Sequence, residues 1–177
     1  LISAIKQLTS ASARRVVYWT KGHGEILFDD YSSNGMSDIA RFLRADGYEN
    51  AFIDLAGEES IPLDCAVVVV SGARDVFSRQ ESSKLDKYLH QGGRLLVLTS
   101  SVEGKGVDAL LPKWGIRARK ADTAADRTLT GTDVIADRFA RHPITSAMEG
   151  SQIVLDRPVG FTPSAAVTAT ASADGIE

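Results

Sequence analysis

A histidine between two glycines has the surroundings that most suggest chemistry in this chain. His23 lies between Gly22 and Gly24, two positions before Glu25, and directly follows a short apolar run. Imidazole changes its charge near neutral pH, so His23 could carry a proton or donate a hydrogen bond to an anion. The flanking glycines indicate only that the backbone turns tightly. The alternative is a histidine that packs within its loop and is held there by Glu25.

Arg74 is the second candidate for a functional side chain. It follows an apolar run that ends at Ser71-Gly72. A planar guanidinium could bind a carboxylate or a phosphate group of a ligand. Alternatively, the same side chain could form an ion pair at the surface with Asp75 or Glu58. The residue types leave both interpretations open.

Nucleophiles and metal ligands are weakly indicated. Ser71 and Ser100 end apolar runs, yet neither lies in the G-x-S-x-G turn that exposes a nucleophilic serine. Cys65 begins an apolar run and is expected to be a small core residue. Neither a dinucleotide-binding fingerprint nor a phosphate-binding loop occurs, so we expect no cofactor. The three histidines, His23, His90 and His142, lie far apart in the sequence and indicate no metal site.

The elements that must position these residues follow an α/β pattern. Apolar runs predict strands at residues 15–19, 49–55, 65–72 and 94–100. Helical periodicity predicts helices at residues 34–46 and 79–91. Four consecutive valines indicate a strand that is buried on both faces, as in a parallel sheet. The expected fold class is therefore α/β, a three-layer sandwich with a mainly parallel sheet.

The helix boundaries carry their own signals. The first helix has an apolar stripe made of Met36, Ile39, Ala40, Phe42 and Leu43. Residues 32–34 are expected to cap its start, and Gly47 is expected to mark its end. Ser78 and Glu81 form the sequence of a capping box, which predicts the start of the second helix.

The periodicity is weaker in the last third of the chain. Residues 106–115 predict a short helix and residues 116–122 a strand. Residues 126–139 are expected to hold a strand or hairpin and residues 142–148 a helical turn. A single edge strand is expected within residues 151–161.

Composition limits the classes of protein to which the chain can belong. Its 177 residues, 44% of them hydrophobic, suffice for one substantial core. The net charge of −3 gives no indication of a nucleic-acid partner. A single cysteine excludes an internal disulfide, and no apolar run reaches the ~20 residues that span a bilayer. We expect residues 1–14 to end a leading helix or linker, 15–160 to form one α/β domain, and 161–177 to be a tail of a longer protein.

The carboxyl edge of the predicted sheet is the expected binding site. In open α/β sheets, ligands bind beyond the carboxyl ends of the strands, where the following loops converge. The residues that this rule brings together are Gly22, His23, Gly24, Glu25, Ser71, Gly72, Arg74, Ser100 and Ser101. We predict that they bind a ligand or a partner, and we assign none of them a catalytic role.

Five segments together resemble one protein family over about residues 6–158. They are VVYWTKGHGE, DIARFLRADGYENAFIDL, IPLDCAVVVVSGARDVFSRQESSKLDKYLHQGGRLLVLTS, LLPKWGI and HPIT. The family is the auxiliary component of uncharacterised ABC-type transport systems, which contains the gliding-motility-associated GIFT-type domain. The resemblance implies a fold similar to flavodoxin and to class I glutamine amidotransferases.

The resemblance also implies a location and partners. Members of the family are similar to membrane-anchored proteins whose soluble α/β part lies on the extracytoplasmic (periplasmic) side of the inner membrane. The implied partners are the ABC transporter permease and ATPase subunits, with a small ligand as a further possibility. Contact with the membrane would be made through segments that this chain does not include.

The resemblance does not carry enzyme chemistry to this chain. In the amidotransferases the nucleophilic cysteine follows a strand that matches RLLVLTS, which corresponds to a position near Ser100 here. That position holds no cysteine, and no His-x-Glu pair follows. We therefore expect a non-catalytic binding domain. The alternative is a hydrolase with an amidotransferase-like fold that uses Ser100 or His23.

Overall fold

The computed structural model describes residues 16–57, 60–99, 106–107, 110–120, 131, 133–156 and 158–163. Their contacts divide the chain into two compact units. The first unit comprises residues 1–99 and 103–114, and the second comprises residues 100–102 and 115–177. The single domain expected over residues 15–160 is not tested by this division and stays a prediction. Among the described residues, every helix is too short or too polar to cross a bilayer.

A four-stranded parallel sheet organises the first unit. Its strands are β1 (Val16–Thr20), β2 (Glu49–Ile53), β3 (Cys65–Ser71) and β4 (Leu95–Leu98). They lie in the order β2-β1-β3-β4, and every neighbouring pair is parallel. The mixed α/β class with a parallel sheet is therefore confirmed. The run of valines lies in β3, an inner strand, where both faces of the strand are covered.

Helix α1 (Ser37–Ala45) begins later than the sequence indicates. The expected caps at residues 32–34 are wrong, because the N-cap is Met36 and it makes no side-chain cap hydrogen bond. The residues before it form turns instead, and the Asp30 carboxylate accepts from the backbone N–H of Ser32 at 2.8 Å. Gly47 has a φ of 86° and follows the end of the helix as expected.

Helix α2 (Arg79–His90) begins at the predicted capping box. The Ser78 hydroxyl accepts from the Glu81 N–H at 3.2 Å, and the Glu81 carboxylate accepts from the Ser78 N–H at 2.7 Å. Leu85 and Tyr88 on the inner face of the helix are buried. This helix is fixed at its first turn by local hydrogen bonds and along its length by apolar packing.

Two apolar clusters lie in the first unit, one associated with each helix. Val68, Val70 and Leu85 belong to the cluster that contains α2 residues. Val17, Trp19 and Val69 belong to the other cluster. The N-cap residue Met36 and Leu43 of α1 pack against it. Because side chains alternate along a strand, the clusters occupy opposite faces of the sheet. Ile39 and Phe42 are exposed, so the predicted apolar stripe of α1 is wider than the face that it buries.

Cys65 lies in the core as predicted, and replacing it with alanine should have a small effect. Its side chain is buried, and its sulfur lies 3.3 Å from the Tyr88 hydroxyl. We expect Cys65→Ala to lower the free energy of unfolding by about 1 kcal/mol, the usual scale for a small core substitution. Urea denaturation monitored by tryptophan fluorescence measures this. A loss of native structure would show that the sulfur does more than fill space.

The second unit contains antiparallel strand pairs. Strand β5 (Ile116–Lys120) pairs with β8 (Val159–Pro163), and β6 (Asp133–Ala136) pairs with β7 (Ile153–Asp156). The single edge strand expected within 151–161 is therefore wrong, since this segment contributes to two strands, one that ends at Asp156 and one that begins at Val159. The predicted short helix and helical turn are present as 3₁₀ turns, at Leu111–Trp114 and Ser146–Met148.

Candidate functional site

The loops after β1 and β3 are joined by backbone hydrogen bonds. The His23 carbonyl accepts from the N–H groups of Arg74 and Asp75 at 2.7 and 3.1 Å. The N–H of Ile26 donates to the carbonyl of Ser71 at 2.7 Å. This contact follows from the fold, because β1 and β3 are parallel neighbours and deliver their loops to one edge. We call residues 21–25 and 71–75 together the rim.

The His23 ring is enclosed between an aromatic ring and two carboxylates. It stacks on Phe77 with centroids 4.1 Å apart and planes inclined by 13°. Its Nε2 lies 3.2 Å from Oε1 of Glu81, and its Nδ1 lies 3.6 Å from Oε1 of Glu25. Only 12% of the side chain is exposed. The ring is thus placed inside the unit, where it connects the first loop to the start of α2.

Glu25 is more deeply buried than the histidine. Its side chain is 1% exposed, and its Oε2 accepts from the backbone N–H of His23 at 2.7 Å. Among the described groups, Glu25 Oε1 and His23 Nδ1 are both buried and neither has a hydrogen-bond partner. Glu25 therefore holds the backbone of its own loop, and it faces the ring without a hydrogen bond to it.

Glu81 is held in its ionised form by its neighbours. Burial raises the pKa of this carboxyl, but hydrogen bonds from the side chain and backbone of Ser78 and the nearby His23 ring outweigh that effect. The pKa of Glu81 consequently lies below its ordinary value. A carboxylate at this position also suits the positive end of the α2 dipole.

Two rim glycines have conformations that other residues rarely adopt. Gly24 has a φ of 71°, and a Cβ built on it would lie 3.3 Å from the Cβ of Arg74. Gly72 has a φ of 65°, and its Cβ would lie 3.1 Å from Ile26. The close approach of the two loops therefore depends on glycine at both positions.

The remaining predicted site residues have mixed placements. Gly22 and Arg74 are exposed, as a binding surface requires. Ser71 is buried, and its hydroxyl has no hydrogen-bond partner among the described groups. Ser100 and Ser101 lie outside the described residues. The assignment of these residues to ligand or partner binding stays a prediction.

Sequence reasoning missed the two side chains that complete the histidine's environment. Glu81 was identified only as a capping residue, and Phe77 was not singled out. Both lie more than 50 positions from His23 in the sequence, so no local spacing indicates the contact. The capping box was the usable signal, since it places a carboxylate at the start of a helix that follows β3.

The family model described as "ABC-type uncharacterized transport system" matches residues 14–138, which is more than half of the chain. The chain belongs to this family. This confirms the coarser part of the predicted resemblance, membership of an auxiliary ABC-transport family. No curated protein matches this transport-family chain.

A solved structure is similar to the transport-family chain in fold. The mmIFT52 N-terminal domain aligns with a TM-score of 0.63 and 16% sequence identity. The alignment covers 84% of this chain and 68% of that one. At this level of identity the similarity concerns the fold alone.

The second unit of the transport-family chain has a cleft of about 820 Å³. It is lined by residues between 137 and 150, including Arg138, Arg141 and Glu149. Most of the lining side chains are exposed, and both signs of charge are present. The lining of this cleft is largely exposed, whereas the rim contains buried polar groups that converge, and we therefore treat the rim as the candidate site. Within the described residues, no cluster of three His, Cys, Asp or Glu side chains could hold a metal ion.

Proposed function

We propose that this chain is the non-catalytic, partner-binding part of a membrane-anchored ABC-transport accessory protein. The domain would lie on the extracytoplasmic (periplasmic) side of the inner membrane and contact the permease of the permease–ATPase assembly of its transport system. Family membership supports the transport role. The gliding-motility-associated GIFT-type assignment belongs to the same proposal and rests on the resemblance of the sequence motifs.

The strand order supports the finer description of the fold. The order β2-β1-β3-β4 equals the first four positions of the flavodoxin-like order 2-1-3-4-5. In such sheets the ligand crevice lies between the carboxyl ends of β1 and β3, where the chain switches direction across the sheet. In this protein the rim occupies that place.

The observation that carries the proposal is that the rim loops are closed on each other. Two N–H groups of the second loop donate to the His23 carbonyl, and the imidazole ring fills the space between Phe77, Glu25 and Glu81. The chain's own groups thus occupy space beside the carboxyl ends of β1 and β3, where a small substrate would bind in such a sheet. What remains exposed is an outer surface with Gly22, Arg74 and Asp75, which suits a protein partner better than a small ligand.

The same geometry disfavours the hydrolase alternative. His23 would have to act as a general base, which requires a nucleophilic hydroxyl or thiol group within hydrogen-bond reach of a ring nitrogen. Both ring nitrogens instead face carboxylates at 3.2 and 3.6 Å. The one rim serine in the described part of the chain, Ser71, is buried.

Arg74→Ala should weaken partner binding about fivefold, which corresponds to about 1 kcal/mol, the upper end of the range for one exposed ion pair. Arg94→Ala is the matched control, because Arg94 is also exposed but precedes β4 and so lies at the opposite, amino edge of the sheet. Biolayer interferometry on the detergent-solubilised permease–ATPase complex of the same transport system measures both. Equal affinities of the two variants, or no binding by the unmodified chain, would contradict the proposal.

A further inference from the structure

We propose that His23 makes the attachment of the rim to helix α2 depend on pH. The attachment is stronger when both ring nitrogens carry a proton. The inference deepens the proposed function and rests on it in one respect, the treatment of the rim as a binding surface. Proton uptake would then present that surface in a more rigid form. The geometry of three side chains, His23, Glu25 and Glu81, carries the inference.

The number of hydrogen-bond donors on the His23 ring explains why one proton matters. A neutral imidazole has one N–H group, so it can donate to only one of two carboxylates placed on opposite sides of the ring. The nitrogen closer to a carboxylate is Nε2, at 3.2 Å from Glu81. Nδ1 and Glu25 Oε1 then face each other at 3.6 Å as two acceptors, and both are buried without a partner. A second proton, on Nδ1, turns this contact into an ion pair.

Burial strengthens the electrostatic interaction between His23 and Glu25. The side chains of His23, Glu25 and Glu81 are 12%, 1% and 5% exposed, respectively. Solvent therefore screens these charges less than it screens a pair at the surface. Low local polarity also makes an unpaired polar atom costly and a charged hydrogen bond strong. Gain or loss of the proton thus changes how firmly the ring is held.

The ring is linked mechanically to the rest of the rim. The His23 carbonyl accepts from the N–H groups of Arg74 and Asp75, and its own N–H donates to Glu25. Phe77 stacks on the ring from the segment that leads into α2. A firmer hold on the imidazole therefore restrains three backbone N–H groups, those of His23, Arg74 and Asp75.

Each element that packs against the His23 ring contributes charged residues near it. The first loop contributes Glu25 and helix α2 contributes Glu81, each with a carboxylate facing the ring. The second loop contributes Arg74 and Asp75, which contact His23 through their backbone and are exposed. The two facing carboxylates have the same sign, and each can accept a hydrogen bond from a different ring nitrogen.

Amide hydrogen exchange of the isolated chain tests directly whether protonation of His23 strengthens the attachment of the rim to α2. Exchange rates of the His23, Arg74 and Asp75 amides are measured by NMR at pH 8 and pH 5.5 and divided by the intrinsic rate at each pH. The resulting protection should increase about tenfold on acidification, the effect of one hydrogen bond to a charged group. Histidine ring ¹⁵N shifts, recorded in parallel, report whether Nδ1 gains its proton over the same interval.

Variants distinguish a pH-dependent role of His23 from a role in packing alone. His23→Gln and Glu25→Gln should abolish the increase in protection, whereas His90→Gln, at an exposed histidine 3.7 Å from Asp86, should retain it. If either rim variant unfolds, ring ¹⁵N shifts of the unmodified chain still decide whether the ring and the three amides respond together. An identical pH response in His23→Gln, or amides that do not follow the ring, would overturn the inference. Partner binding plays no part in this experiment, so its result is independent of the proposed function.

Discussion

Replacing Gly35 with alanine should lower the free energy of unfolding by about 3 kcal/mol, the scale of backbone strain that a turn cannot absorb. A Cβ built on Gly35 overlaps the Asp30 carbonyl oxygen and lies 2.6 Å from its carbon. The overlapping atoms belong to the backbone, so a change of side-chain rotamer does not relieve the contact. The turn before α1 would have to open, and the hydrogen bond from the Ser37 N–H to the Asp30 carbonyl would be lost.

Gly57→Ala is the matched control for Gly35→Ala. Nothing lies within 4 Å of a Cβ built on Gly57. Alanine there should be neutral, or stabilising by a few tenths of a kcal/mol because the unfolded chain loses freedom. Urea denaturation of the two variants gives the comparison. Equal stability of both would show that the 30–36 turn can rearrange without cost.

The same turn shows where sequence reasoning about the fold failed. Three polar residues at positions 32–34 suggest a helix cap, yet the helix begins only at Ser37. Asp30 determines this, because its carboxylate and carbonyl both accept hydrogen bonds from the turn. Such side-chain-to-backbone bonds compete with the helix for the same residues, and composition alone does not show which will prevail.

The sequence was sufficient to predict the elements that are marked by a buried apolar run or by a local capping motif. The valine run predicted an inner parallel strand, and β3 is one. Ser78 and Glu81 predicted the start of α2 to the residue. The second unit lacks such paired signals. Its strands are four or five residues long, and β5 and β6 pair with partners that follow later in the chain, so no local turn indicates the pairing.

The sequence predicted where the candidate site lies, but it did not predict which side chains surround the His23 ring. The rule for parallel strands placed the loops of His23 and Arg74 at one edge, and they are joined there. It did not show that the imidazole points inward onto Phe77 and Glu81. Side-chain direction depends on contacts between distant segments, and these exist only in the folded chain.

Glu81 is expected to contribute to stability in a manner that depends on pH. Its folded pKa is lowered, so its ionised form favours the native state. That contribution is present above the ordinary pKa of glutamate and is lost as the pH falls through the lower, folded value. The free energy of unfolding should therefore decline in this acid range in the unmodified protein, and the part due to Glu81 should be absent from variants without the charge.

Two substitutions separate the contribution of the negative charge of Glu81 from that of its capping hydrogen bond to Ser78. Glu81→Ala should cost about 2 kcal/mol at neutral pH, because both the Ser78 N–H and the His23 ring lose a buried partner. Glu81→Gln can still accept from the Ser78 N–H, since glutamine also serves in a capping box, and should cost about 1 kcal/mol. The deficit of the glutamine variant should vanish at acid pH, where the native carboxyl is protonated as well.

Glu49→Gln provides the control for general effects of removing a negative charge, because Glu49 is exposed on β2. Its unfolding free energy should follow that of the unmodified protein throughout a urea titration series from neutral pH into acid. A Glu81→Gln deficit that stays constant over this range would show that the loss comes from packing, and that the carboxylate is not stabilised by Ser78 and His23. A deficit that closes on acidification assigns the loss to the charge, because the protonated carboxyl group and the carboxamide are both neutral.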